Sequence, residues 1–392
     1  MLTQITIQGF KSLQDVRDLA LGQVNVFIGA NGSGKTNLLE AIGLLGAAVR
    51  GPIDYEALQR RSVDDEALQR RGVRPGTFRS SFSATGTSEK INTHVIWSKQ
   101  DVTFQYQVEI SETGDQQRPW LSDGEIRLID AGDDELLVKE YPISPSEHRK
   151  KISHQLGTAL SEYVIFSPNT PVLRGTEVDS QRLPMGLAGG RLPEAVAELL
   201  DVEPGMFGAL DLDELLQLLD WVDQIAIVPP SRELVPPSVP AMRNVIRFTD
   251  RWMTTDKNQL SAYNASEGAL YVLFVLVLAL HPRSPRLFAI ENWDQAMHPR
   301  LARATVRLFC QQMLQADKKR QALLTTHHPL VLDGLDLRDD RIRLFTVERN
   351  RQGATRIDRV QVSDEILKAS QDGLSLSHLW TTGRLGGAPD IF

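Results

Sequence analysis

The sequence predicts an α/β protein: a mixed central sheet carrying an antiparallel β lobe and an inserted helical lobe. Three patterns predict it. An apolar strand runs through a glycine-rich turn straight into a helix near the start, residues 91–140 alternate in polarity, and residues 146–223 show helical spacing. At 392 residues, with 41% hydrophobic and 24% charged content, the chain can bury a large core plus one or two subsidiary lobes.

In chain order, Ile5, Ile7 and Phe10 and then Val24, Val26, Phe27 and Ile28 read as two strands. Lys35 to Val49, rich in Leu and Ala, reads as the helix that follows the glycine turn. The hexapeptide EALQRR occurs at Glu56 and again at Glu66, so on a continuous helix the two Arg pairs point about 80° apart. With Arg74 and Arg79 they form either a solvated helix face or a nucleic-acid contact. The stretches INTHVIWS, VTFQYQVEI, EIRLID and ELLVKE, separated by turn residues, read as an antiparallel meander. Leu192 to Leu200 and Leu210 to Val222 space their apolar residues as helices do. Pro229, Pro230, Pro236, Pro237 and Pro240 predict a stiff connector before the core resumes. No heptad pattern is sustained, which excludes a long coiled-coil arm.

Composition narrows the setting. The single cysteine, Cys310, can form no internal disulfide, and the opening MLTQITIQGFKSL reads as a strand rather than an export leader. The longest apolar run, Ala269 to Leu280, falls short of the roughly 20 residues that cross a bilayer. The expectation is a cytoplasmic protein away from membranes. A net charge of −7 requires any contact with DNA to come from a local basic patch.

GANGSGKT, Gly29 to Thr36, satisfies the P-loop pattern at every required position. Its glycines let backbone N–H groups curl around phosphate oxygens, Lys35 meets the outer phosphates, and Thr36 offers a hydroxyl to Mg²⁺. Asn31, Gly32, Ser33, Gly34 and Asn37 complete the expected cradle for ATP. Downstream, the apolar strand Leu287 to Ile290 ends in Glu291 and Asn292, where a carboxylate beside the P-loop would support Mg²⁺. Before it, Ser266, Glu267 and Gly268 open the long apolar helix and resemble the signature of ABC-type heads. In such heads the serine of one copy meets the nucleotide of the other. A further apolar strand ends at Thr325, Thr326 and His327, placing an imidazole where it can meet a terminal phosphate or its attacking water.

The order of these motifs predicts a P-loop NTPase of ABC-head type. The expected division is a first core part with the P-loop (1–53), a charged helical segment with the antiparallel β lobe (54–142), an inserted helical lobe (143–224), and a second core part with the remaining motifs (225–392).

Together the motifs resemble the RecF/SMC-related ATPases, above all stand-alone bacterial ATPases similar to the head of overcoming-lysogenisation-defect proteins. GFKSL at Gly9 to Leu13 is similar to that family's opening motif, which implies that Lys11 and Ser12 lie by the adenine. Asn31 matches its P-loop asparagine, and Phe166 to Pro168, Arg174 and Leu183 to Leu192 resemble its middle region.

Two departures qualify the match. Where the family carries Asp then Glu at the strand tip, this chain has Glu291 then Asn292, and an amide cannot take a proton from water. Slow hydrolysis, or a substitute base such as Asp294, is the expectation. The 65 residues after His327 are too few for the family's nuclease domain, so a nuclease would be a separate effector. The resemblance implies an ATPase that forms a homodimer or higher oligomer on ATP and gates DNA sensing or such an effector, in DNA repair or anti-phage defence. The alternative is a slow-hydrolysing, nucleotide-sensing scaffold for protein assembly. A transporter ATPase subunit and a small-molecule kinase fit less well. Gln100, Gln105 and Gln107 all remain open as the glutamine of a Q-loop.

Overall fold

The computed structural model describes residues 1–48, 62–63, 68–74, 90–99, 102–112, 120–130, 137–139, 159–179, 184–237, 239, 243–361 and 374–387. Val49, both EALQRR starts at Glu56 and Glu66, Arg79, Gln100, Leu183 and Pro240 lie outside them.

The chain opens with β1 (Leu2–Phe10), β2 (Leu13–Ala20) and β3 (Val24–Ile28), then α1 (Lys35–Ala48). Strand β2 was not expected from the sequence. Its buried residues Leu13, Val16 and Leu19 recur every third position, and between the last two the pairing with β1 shifts register, opposite Ile5 to Ile7. Such a bulge breaks the period of two by which strands are recognised.

Next come β4 (Ser62–Val63), β5 (Lys90–Lys99), β6 (Val102–Glu112), β7 (Trp120–Asp130) and β8 (Leu137–Lys139). With β1 and β2 they form an antiparallel sheet in the order β2-β1-β5-β6-β7-β4, with β8 also on β7. The meander therefore continues the opening hairpin, and one sheet spans the expected 53/54 boundary.

The middle of the chain supplies β9 (Val164–Phe166), the short helix α2 (Thr170–Leu173), α3 (Leu192–Leu200), β10 (Met206–Phe207), β11 (Leu210–Asp211), α4 (Leu212–Leu218) and β12 (Val222–Val228). Asp211 caps α4 by accepting the Asp213 N–H at 2.8 Å. The proline-rich stretch links β12 to β13 (Val245–Asp250), which pair antiparallel, with β14 (Gln259–Ser261) beside β13.

The last part holds α5 (Glu267–Leu280), β15 (Leu287–Ile290), α6 (Pro299–Gln315), β16 (Gln321–Thr326), a 3₁₀ turn (Pro329–Gly334), β17 (Ile342–Arg349), β18 (Thr355–Val360) and α7 (Leu376–Thr381). Helix α5 is buried from Gly268 to Ala279, so the long apolar run is the spine of the core. Among the described residues no helix is long and apolar enough to cross a membrane.

The central sheet runs β18-β17-β3-β16-β15-β9, parallel except for β18. All five residues of β3 are buried, as a parallel strand covered on both faces requires. Val24, Val26 and Ile28 face the core built around α5, while Phe27 faces the core built around α1. Because β3, β15 and β16 are parallel neighbours, their C-terminal ends share one edge, where open α/β sheets bind ligands. Register places Ile28 opposite Thr326 and Ile290 opposite Leu324, so Gly29, Glu291 and His327 emerge side by side.

Candidate functional site

The loop between β3 and α1 is shaped by its glycines. Gly34 has φ +108°, and a Cβ there would lie 2.0 Å from Thr355 Oγ1 and 2.9 Å from Ser12 Oγ, so only glycine lets the loop sit this close. Thr355 Oγ1 donates to the Ser33 carbonyl at 2.8 Å, and Asn37 Nδ2 donates to Ser12 Oγ at 2.6 Å. The turn after β1, the head of α1 and the β17–β18 hairpin are thereby locked around the loop.

Lys35 is buried at the start of α1, its Nζ donating to the Gly29 and Ala30 carbonyls, each at 2.8 Å. Burial pulls its pKa down to about 8, against the opposing charges of Asp294 and Glu291. Thr36 Oγ1 donates to Glu291 Oε1 at 2.5 Å, joining the loop to the tip of β15. Glu291 is held there by its own N–H, which donates to the Phe166 carbonyl of β9 at 2.8 Å.

Asn292 follows with φ +51°, a left-handed conformation that asparagine accepts more readily than most side chains. Its N–H donates to Thr325 Oγ1 at 3.0 Å, and its side-chain amide lies 3.2 Å from His327 Nε2. His327 Nδ1 lies 3.3 Å from the Gly29 carbonyl. Although the outer edge of His327 is exposed, burial of the rest and the charge of Lys35 hold its pKa below the usual imidazole value. A neutral ring with its proton on Nδ1 donates to Gly29. Nε2 then accepts, and pairing with Asn292, whose Oδ1 faces it at 3.2 Å, requires the amide to turn its nitrogen to the ring.

These groups line a cavity of about 300 Å³, at the small end of ligand pockets and suited to the phosphate end of a nucleotide. Asn31 to Asn37, Glu291, Asn292 and His327 all contribute to it. So do Arg74 and Arg349, which sequence reasoning did not assign to a nucleotide. Arg74 reaches to 4.0 Å of Glu291, and Arg349 Nε donates to the Gly32 carbonyl at 2.7 Å from the end of β17. No motif marked Arg349, and Arg74 was grouped with a basic patch. Three cations, the Ser33 and Thr36 hydroxyls and one carboxylate form a set that matches a polyphosphate with a hard divalent ion held between Thr36 and Glu291.

Other expected residues lie elsewhere. Ser266 caps α5, exposed and with no side-chain capping bond, while Glu267 pairs with Arg174 at 3.5 Å and Gly268 is buried. None of the three lines this cavity. Lys11 has φ +47° and pairs with Glu40 of α1, and Ser12 is buried in the hydroxyl network; neither lines it. Asp294 keeps one buried oxygen without a hydrogen-bond partner, and its charge partly offsets the lowering of the Lys35 and His327 pKa values. Gln105 and Gln107 sit in β6, outside the cavity lining.

A glycine loop between a buried parallel strand and a helix, with an acid and a histidine on the two adjoining strand tips, defines the class: a P-loop NTPase fold. The chain belongs to the family described as "AAA domain, putative AbiEii toxin, Type IV TA system", whose profile matches residues 24–162 and 243–333. No curated protein matches the sequence. Among solved structures it is similar to the SMC head domain from Thermotoga maritima, at 14% identity and a TM-score of 0.48, over 92% of this chain and 99% of that one. It is also similar to an Smc head bound to the C-terminal winged-helix domain of ScpA, at 10% identity and a TM-score of 0.48, over 92% and 98%. A third is an Smc head domain with an extended coiled coil bound to the C-terminal domain of ScpA, from Pyrococcus furiosus, at 11% identity and a TM-score of 0.46, over 95% and 98%.

Proposed function

We propose that this chain is a cytoplasmic, ABC-type head that binds and hydrolyses ATP, and that ATP joins two copies. The head then gates DNA sensing or a partner effector such as a nuclease, in DNA repair or anti-phage defence, as heads of the overcoming-lysogenisation-defect type would. One observation carries the reading. Lys35, Thr36, Glu291 and His327 converge on one cavity, while the exposed Ser266 at the head of α5 leaves its hydroxyl uncommitted.

In this reading Lys35 exchanges the Gly29 and Ala30 carbonyls for the outer phosphates, and the N-terminus of α1 adds its positive end. Thr36 and Glu291 would hold Mg²⁺, which supplies charge neutralisation at the phosphates. His327 orients the attacking water from the tip of β16, and Ser266 of the facing copy closes the open side.

ATP-dependent association is tested by light scattering with and without a non-hydrolysable ATP analogue. The expected result is a doubled particle mass with nucleotide, lost in Ser266→Arg while nucleotide binding persists. A mass indifferent to nucleotide overturns the dimer.

The reading also fixes a pH dependence. Burial sets the Lys35 pKa at about 8, so without nucleotide it is protonated below that point and neutral above it, whereas a triphosphate needs the charged form. ATP affinity is expected to be flat below that point and to fall above it, by up to about tenfold per pH unit. Calorimetric titration with ATP should also show proton uptake there, and an affinity flat across pH 8 contradicts the assignment.

Asn292 favours a second reading, a nucleotide-sensing scaffold that scarcely hydrolyses ATP and acts in protein assembly. Steady-state phosphate release separates the two: brisk turnover that disappears in Lys35→Ala excludes the scaffold.

A further inference from the structure

Glu40, in the second turn of α1, is a carboxylate with no exposure to solvent. A buried carboxylate is tolerated only when its charge is matched and its oxygens are bonded. Here the two oxygens serve two separate arms of the chain. Oε2 accepts from Lys11 Nζ, on the turn between β1 and β2. Oε1 accepts from Arg74 Nε at 2.7 Å and from the Arg74 backbone N–H at 3.3 Å.

The consequence falls on the cavity. Nε and the backbone of Arg74 are held by Glu40, which leaves the outer end of the guanidinium to line the cavity, 4.0 Å from Glu291. The Arg74 side chain is otherwise 66% exposed and has little else to order it. The other arm, Lys11, holds a left-handed φ of +47°, and its neighbour Ser12 is tied to Asn37 and Thr355 beside the P-loop. A pair needed only for folding could be served by one cation; this carboxylate joins the turn after β1 to an arginine that lines the cavity.

We propose that Glu40 is a positioning residue that holds Arg74 poised on the Glu291 side of the cavity, coupling the Lys11 turn to recognition of the terminal phosphate. The proposal rests on the reading of the cavity as an ATP site.

The test measures affinity for a fluorescent non-hydrolysable ATP analogue and for the matching ADP derivative, both with Mg²⁺. Glu40→Gln keeps the volume but removes the charge that both cations require. It is expected to lower the preference for the ATP analogue over ADP by about tenfold or more, since small displacements of an aligned group carry large penalties. Arg74→Ala should lower it in the same sense, and the double variant should be no worse than Arg74→Ala alone. Lys11→Met serves as a second variant if Glu40→Gln does not fold. Any contact of Lys11 with the base cancels in the ratio, so a fall in the ATP preference reports on Arg74.

Equal loss of ATP and ADP affinity in Glu40→Gln, effects of Glu40→Gln and Arg74→Ala that multiply, or an unchanged ratio in Lys11→Met would each overturn the proposal. If Arg74→Ala leaves the ratio unchanged while Lys35→Ala abolishes binding, the Glu40 proposal fails and the ATP site stands. Nucleotide binding that survives in Lys35→Ala removes the site itself.

Discussion

Lys35→Ala is expected to lower ATP affinity by at least about a hundredfold, because charge-assisted bonds to phosphate in a water-poor cavity are among the strongest a site can offer. The ammonium is buried at the mouth of α1 and already bonded to two carbonyls that a triphosphate can replace. The natural chain should melt later with ATP, since a ligand at about a hundred times its Kd adds about 2.7 kcal/mol to stability. In Lys35→Ala that thermal shift should vanish. Without nucleotide the variant need not melt earlier, because burial opposes the charged form of Lys35. A variant that keeps the natural nucleotide-induced shift would show that the phosphates are gripped elsewhere.

Asn292→Asp is expected to raise steady-state phosphate release by about tenfold or more, general bases contributing roughly 10²–10⁴ where they act. The position is suited to the change: its φ of +51° is accessible to aspartate and less so to the longer glutamate. Its side chain already faces His327 Nε2 at 3.2 Å, so a carboxylate there would also stabilise a protonated ring and make the rate more dependent on pH. Comparison with the same substitution in a Lys35→Ala background removes any contaminating activity. An unchanged or lower rate would point instead to Asp294, whose buried oxygen lacks a partner close to Lys35 and His327.

Much of the candidate site could be read before any coordinates. Gly29 to Thr36 and the apolar strands that end at Glu291 and His327 are local patterns, and parallel pairing of those strands brings their tips to one edge. The meander was equally visible, because β5 and β6 alternate cleanly. Strand β2 escaped notice because its buried residues are spaced by three rather than two, with a bulge between Val16 and Leu19. Arg74 and Arg349 escaped because an arginine in a charged stretch or at a strand end carries no spacing that distinguishes a pocket from a wet surface.

Periodicity and glycine placement were enough to specify the strand-loop-helix unit, the order of the motifs and the class of fold, since each depends on residues within a few positions of one another. Folding alone settled that Thr36 meets Glu291, that Glu40 joins Lys11 to Arg74, and that the Ser266 cap stands apart from the cavity of its own chain. Those contacts link residues tens to hundreds of positions apart, and only packing on both faces of the central sheet brings such partners within hydrogen-bonding distance.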